Sequence, residues 1–189
     1  MKDVLKTYRD SMRVFTDLVH QIRDDQWSNS TPCTEWTVRD LVNHMVYEHR
    51  WAPELLAGRT IAQVGAGRYD GDQLGEDPKG AWDQASAESL ARFSDPGVLG
   101  RIVHLSYGDC TAASYGAEMT VDLAVHAWDL ARGIGADDRL PDDIVAEVYA
   151  WARPRSAGIT GTPWFGPAVR TGPDADDQTA MLGLLGRRR

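Results

Sequence analysis

Cysteine is scarce in this sequence, with Cys33 and Cys110 as the only two cysteines among 189 residues and no Cys-x-x-Cys motif. This low count argues against a disulfide framework and makes the cytoplasm the expected compartment. Free cysteines are usually buried, so we interpret both as small apolar residues, with a reactive thiol as the alternative.

Basic residues are outnumbered, with 20 lysines and arginines against 28 aspartates and glutamates and a formal net charge of -8. A nucleic-acid-binding protein needs a basic face to neutralise phosphates, and a protein that binds an anionic membrane surface needs one as well. The charge balance argues against both classes of partner. We interpret the dispersed acidity as a feature that favours solubility.

Long apolar runs are absent too. No stretch of 18 apolar residues occurs, which excludes a transmembrane helix, and the charged segment 1–12 lacks the apolar core of a signal peptide. The sequence does contain 42% hydrophobic residues and seven tryptophans, enough to build a packed core. We expect one domain over residues 1–189, with residues 140–189 as an extension packed on it.

Apolar residues recur at spacings of three and four in four long segments, which predicts four amphipathic helices. These helices are predicted at about 2–26, 38–57, 78–93 and 111–133. Two shorter helices are predicted at 141–152 and 174–187, and a β-branched extended stretch at 98–108. A surface loop is predicted at 59–76 and a loop or short strand at 160–169. The expected fold is all-α: an up-down four-helix bundle with short C-terminal additions and a minor β element.

A carboxylate and an imidazole share one stripe of the fourth predicted helix. Glu118, Asp122 and His126 are each four residues apart, so their side chains lie one above another. His44, among apolar residues of the second helix, is the best donor from a facing helix. Two imidazoles and one carboxylate with an open position are typical of a catalytic Zn²⁺ site, and the same set suits Fe²⁺, Mn²⁺ or Ni²⁺. The sequence lacks the HExxH motif of metalloproteases.

Several neighbouring residues have more than one interpretation. A buried Asp122–His126 hydrogen bond without metal is the main alternative to the metal site. Glu118 and Glu48 are candidate general bases. Asp129 is expected to pair with Arg132 at i,i+3, or else to orient a neighbouring histidine.

The other histidines are weaker candidates. His49 is interpreted as a surface group or as a partner of a ligand, His20 as a residue on the polar side of the first helix, and His104 as a packing or loop residue. We expect Trp128 to be part of the core.

Several segments resemble a known family. "TPCTEWTVRDLVNHMV", "VDLAVHAWDLARGIG" and "WFGPAV" followed by "MLGLLGR" resemble actinobacterial proteins with the mycothiol-dependent maleylpyruvate isomerase N-terminal-type fold, in the DinB-like superfamily. The resemblance covers nearly the whole chain and implies a DinB-like bundle that binds a divalent metal, usually zinc, through His44, Asp122 and His126. The isomerase carries glutamate where this chain has Asp122.

The resemblance also implies a function. Characterised relatives use the open metal position to activate a low-molecular-weight thiol, chiefly mycothiol, so it implies a thiol-dependent S-transferase or isomerase acting with a small electrophile. The larger second domain of the isomerase is expected to be absent or reduced. Two alternatives stay open: a non-catalytic binding or stress scaffold, and a zinc hydrolase in which Glu118 or Glu48 is the base. A homodimer also stays open.

Overall fold

The structure, a computed structural model, describes residues 1–159 and 166–189 and is built around four long helices. These are Val4–Gln21 (α1), Val38–Leu56 (α2), Pro78–Phe93 (α4) and Ala112–Ile134 (α5). The shorter elements are Ile61–Val64 (α3), Ile102–Leu105 (β1), Gly108–Thr111 (β2), Asp142–Ala152 (α6), Ser156–Ile159 (α7) and Asp177–Leu184 (α8). The predicted all-α bundle with C-terminal additions and a minor β element is confirmed. Within the described ranges, no helix has both the length and the apolarity to cross a membrane.

The long helices pack as a bundle in which α1 and α2 both contact α4 and α5. Large side chains from all four meet in the core, among them Phe15, Leu41, Trp82 and, as predicted, Trp128. Most residues of α5 are buried, so this helix has only a narrow face toward solvent. Charged side chains on α5 therefore need partners within the protein.

Local signals set where the first two helices begin and end. Asp3 accepts a hydrogen bond from the backbone N–H of Lys6 at the start of α1, and Thr37 with Asp40 forms the predicted capping box of α2. The first helix ends earlier than the predicted residue 26, because Ile22 leaves the helical backbone with a ψ of 125° and buries its side chain.

Both ends of α5 are tethered. The β-branched segment before it forms an antiparallel hairpin, and Thr111 at the end of β2 caps α5 by accepting a hydrogen bond from a backbone N–H in its first turn. At the other end, Gln26 and Asn29 donate side-chain hydrogen bonds to the carbonyls of Ile134 and Gly133, at 2.7 and 3.0 Å. The helix that carries Asp122 and His126 is therefore fixed at both ends.

The C-terminal segment packs through α8 against α6. The backbone N–H of Val169 donates to the carbonyl of Gly183 at 2.8 Å, and Gln178 accepts a hydrogen bond from the backbone N–H of Leu140. Beyond α8 the chain turns at Gly186 and returns toward α5 with Arg187. The predicted loop or short strand at 160–169 lies mostly outside the described residues.

Gly183 lies where this segment leaves no room for a side chain. A Cβ there would lie 2.9 Å from the carbonyl oxygen of Val169 and 2.6 Å from Cγ2 of Thr171. We expect Gly183→Ala to lower the free energy of unfolding by about 1–2 kcal/mol, because overpacking outweighs the gain in helix propensity. Gly172→Ala, in open space in the same segment, is the control. Equal midpoints in thermal denaturation for both variants would contradict the expected overpacking at Gly183.

Candidate metal centre

Side chains of His44, Asp122 and His126 meet between α2 and α5, where the sequence predicted them. The two oxygens of Asp122 each lie 3.4 Å from an Nε2 atom, one of His44 and the other of His126. One ligand atom from each residue lies within 4.8 Å of the other two. Tetrahedral Zn²⁺ with bonds of about 2.0–2.1 Å separates its ligand atoms by about 3.3–3.4 Å. Each Asp122 contact has that spacing, but through a different oxygen, Oδ2 to His44 and Oδ1 to His126.

Asp129 contacts the imidazole of His126 at Nδ1, the nitrogen that does not face Asp122. This Nδ1 lies 3.0 Å from Oδ2 of Asp129, a carboxylate with no exposed surface. An ionised carboxylate only accepts hydrogen bonds, so Nδ1 is the donor and Nε2 faces Asp122. Of the two interpretations of Asp129, orientation of a histidine is the one observed, and Arg132 pairs with Asp138 instead. Metal-binding histidines characteristically have such a carboxylate partner.

The protonation states of Asp122 and His126 favour the binding of a cation between them. Burial alone would raise the pKa of Asp122, but His126 and His44 outweigh it and hold that pKa well below the usual range. Burial would likewise lower the pKa of His126, but Asp122 and Asp129 outweigh it and raise the pKa to about 9. The metal-free cluster therefore holds a proton on His126, which a divalent cation would displace.

Trp36 contacts both imidazoles and was not predicted as part of the site. Its ring centroid lies 4.8 Å from that of His44 and 5.7 Å from that of His126, and the two imidazole centroids are 5.2 Å apart. The residue lies immediately before the capping residue of α2, in a loop closed by a bridge between Ser30 and Thr37. Two sequence features pointed to it: its place just before the helix that carries a candidate ligand, and its presence in the segment TPCTEWTVRDLVNHMV that carries the family resemblance.

The two candidate bases differ in their surroundings. Glu118 accepts a short hydrogen bond from the hydroxyl of Tyr107, and burial raises its pKa. Glu48 has no hydrogen-bond partner among the described residues, and burial raises its pKa to about 7 against the opposing influence of His44. A carboxyl group that titrates near neutrality and has no fixed partner is the better general base, so these surroundings favour Glu48 over Glu118.

The remaining histidines lie outside the cluster. The interpretation of His49 as a surface group or ligand partner is wrong: it has no exposed surface, its Nδ1 lies 2.7 Å from the carbonyl oxygen of Met45, and burial lowers its pKa to about 4. His20 pairs at the surface with Asp83. His104 pairs with Asp109 across the hairpin.

Neither cysteine is fully buried, in contrast to the expectation for a small apolar residue. Cys33 and Cys110 are both half-buried and free. Cys33 comes close to the centre, because its Sγ lies within 4.8 Å of ligand atoms of His126 and Asp129. Burial raises the pKa of both thiols, so neither is activated as a nucleophile in this structure.

An open cleft of about 460 Å³ lies beside His44. Its lining combines acidic, aromatic and amide side chains with one glycine: Glu35, Trp36, Asp40, Asn43, His44, Tyr47, Asp70 and Gly71. Asn43 holds the far wall, because its side chain donates to the carbonyl of Gly71 at 3.1 Å and accepts from the backbone N–H of Gln73 at 2.7 Å. None of these described lining residues is a lysine or an arginine.

Comparison with known proteins identifies the family. The family described as "Mycothiol maleylpyruvate isomerase N-terminal domain" matches residues 8–131, well over half of the chain. The chain belongs to this family. The family match spans α1 to most of α5, so it includes His44, Asp122 and His126 but not Arg187.

Relatives of this family member extend over almost its full length. Two uncharacterized proteins of Mycobacterium tuberculosis, from strains H37Rv and CDC 1551, are each 30% identical to it over 191 residues, which is 96% of this chain and 97% of theirs. Crystal structures of the mycothiol-dependent maleylpyruvate isomerase and of a histidine-to-alanine mutant of it superpose with TM-scores of 0.62 and 0.65, at 14% and 13% identity. Each covers 80% of this chain and 68% of the solved chain, which shows that the fold is shared.

The candidate ligand set predicts that the protein loses its bound metal when one ligand is removed. We expect the purified protein to retain about one equivalent of Zn²⁺ per chain, and His126→Ala and Asp122→Asn to lose it, because each removes one of three ligands. Elemental analysis after dialysis is the measurement, with thermal denaturation to verify folding. His20→Ala, at the surface and outside the cluster, is the control. Stoichiometric Zn²⁺ in both ligand variants would contradict the assignment.

Proposed function

We propose that the protein binds a divalent metal, preferably Zn²⁺, through His44, Asp122 and His126 and transfers a low-molecular-weight thiol to a small electrophile. One observation carries the proposal: the three donors converge from two helices while a buried carboxylate orients His126. This set of donors is typical of Zn²⁺ sites, and it also suits Ni²⁺, Fe²⁺ or Mn²⁺. Mycothiol is the proposed thiol, because the structurally similar isomerase is mycothiol-dependent.

The protein's own residues have distinct roles in this proposal. When bound, the metal supplies a positive charge that lowers the pKa of a thiol at its open position. Asp129 keeps the imidazole of His126 in one orientation, and Trp36 covers one side of both imidazoles and limits the access of water. Glu48, half-buried and without a fixed partner, accepts the proton that the thiol releases.

The role of Glu48 predicts a pH profile. A base acts when deprotonated, and the pKa of Glu48 is about 7, so the rate should rise with pH and level off near neutrality. A bound cation favours the carboxylate, so with metal present the rate should level off at a lower pH. We expect Glu48→Gln to lower kcat by about 10²-fold or more and to remove this inflection.

Two matched variants sharpen that measurement. Glu118→Gln should have a smaller effect, because its carboxylate is already engaged by Tyr107. Glu88→Gln, on the exposed face of α4, should leave the rate unchanged. A larger loss in Glu118→Gln than in Glu48→Gln would assign the base to Glu118.

Charge at the cleft favours a neutral electrophile over an anionic one. Glu35, Asp40 and Asp70 line the approach to His44, and no described lining residue carries a compensating positive charge. Two arginines of α2 are engaged elsewhere, Arg39 with Asp72 and Arg50 with Gln73. Residues 160–165, which lie outside the described part of the chain, contain no lysine or arginine in the sequence. Apart from the proposed cation, which would attract an anion, the charged side chains at the cleft repel a dicarboxylate such as maleylpyruvate, and we expect them to favour S-transfer to an uncharged acceptor over isomerisation.

Two maleimides, one neutral and one with an added carboxylate, test this preference. We expect N-ethylmaleimide to be consumed about tenfold faster than 3-maleimidopropionate, after correction for the uncatalysed rates, because the cleft repels the carboxylate. The ratio should fall as salt screens the cleft, and also in Asp70→Asn. Asp142→Asn, at the exposed start of α6, is the control. A preference for the anionic maleimide would contradict the assigned substrate class.

Reaction conditions separate the proposed transferase from its rivals. Turnover that requires both thiol and metal supports the transferase. Turnover without thiol would identify a hydrolase in which Glu48 activates water. A chain that binds no metal and shows no chelator-sensitive activity over a panel of electrophiles would be a scaffold. Side chains of His44 and Asp122 each keep 25% of their surface exposed, an accessibility that favours a working centre over a sealed structural pair.

A further inference from the structure

The buried carboxylate of Asp129 is shared between two partners. His126 reaches it from the same helix at 3.0 Å, and Arg187 reaches it from the segment after α8, with Nε at 3.1 and 3.2 Å and Nη2 at 2.8 Å. The side chain of Asp129 has no exposed surface, and that of Arg187 is 9% exposed. A guanidinium that donates from two nitrogens fixes the plane of a carboxylate as well as its position.

Contacts outside the candidate centre fix the position of Arg187. Its backbone N–H donates to the carbonyl of Leu182 at 2.8 Å, and its Nη1 donates to the carbonyl of Leu185 at 3.3 Å. Gly186 makes the necessary turn with a φ of 77°, in the left-handed region that favours glycine. The segment after α8 therefore holds the guanidinium in one orientation toward α5.

We propose that Arg187 is a positioning residue that fixes the imidazole of His126 for metal binding through Asp129; this inference rests on the metal centre proposed above. The guanidinium holds the carboxylate, the carboxylate holds Nδ1–H, and the ring then presents Nε2 toward Asp122. No other lysine or arginine side chain in the described part of the chain pairs with Asp129. A segment outside the family match thus completes the support of a candidate ligand.

The rival interpretation is that Arg187 only anchors the C-terminal segment. Arg189 provides a direct comparison, because it pairs near the surface with Asp176 and Asp138 and contacts none of the candidate ligands. Removal of Arg187 leaves a buried carboxylate without its counter-charge, which lowers stability whether or not the residue acts on His126. The test therefore needs readouts that come from the centre itself.

Cobalt binding to the full chain provides the first readout. Co²⁺ is the probe, because its visible spectrum reports the ligands around it, and the variants are Arg187→Met, Asp129→Asn, the double variant and Arg189→Met. We expect Arg187→Met and Asp129→Asn each to weaken Co²⁺ binding by about 10- to 100-fold, the usual loss for a partner of a metal-binding histidine. The double variant should bind no more weakly than Asp129→Asn alone, because both changes act through one contact. Arg189→Met should match the wild type.

The second readout needs no metal. NMR spectra of the histidine rings in the metal-free protein should show the Nδ1 proton of His126 in slow exchange with water, and faster exchange in Arg187→Met. Arg187→Lys keeps the positive charge without the planar fork, so it should restore part of the protection and part of the Co²⁺ affinity.

The outcomes distinguish this inference from the proposed function. Unchanged Co²⁺ affinity in folded Arg187→Met, or losses that simply add in the double variant, would overturn the proposal and leave Arg187 as an anchor for α8. If the wild type binds no Co²⁺, the metal centre itself is wrong. The exchange of the Nδ1 proton still decides the role of Arg187 in that case, since equal exchange in wild type and Arg187→Met would overturn it too.

Discussion

A carboxylate inside a helical bundle needs positive charge or hydrogen-bond donors around it, and α5 places two such carboxylates within two turns. Asp122 faces imidazoles from α5 and α2, whereas Asp129 faces an imidazole and a guanidinium. His126 lies between the two carboxylates and contacts both. Much of the surrounding architecture follows from this arrangement, because α2, α5 and the segment after α8 must all deliver a side chain to the same place.

Local spacing made part of this centre predictable. Asp122 and His126 are one helical turn apart, so any helix over this segment brings them together. His44 is predicted as the third ligand because its helix is apolar around it, a pattern that a core histidine shares. The helices themselves followed from apolar periodicity and capping residues, with the largest error at the end of α1, where burial of Ile22 outweighs continuation of the helix.

Contacts between segments distant in sequence were beyond local reasoning. Arg187 is 58 residues from Asp129, and nothing in the short C-terminal helix pattern indicates which acidic residue it pairs with. Trp36 contacts the centre because the loop before α2 folds over it, and loop conformation has no periodicity to read. His49 was misplaced, because a histidine that packs between Tyr8 and Trp82 in the core has the same sequence signature as one that serves a site.

Asn43 gives the cleft and the candidate ligand a shared mechanical support. Its amide holds the chain at Gly71 and Gln73, while the next residue along α2 is His44 itself. The chain segment that lines the cleft at Gly71 is therefore tied to the helical turn that carries the imidazole. The outer cleft and the inner ligand thus share one stretch of α2, and neither is built independently of the other.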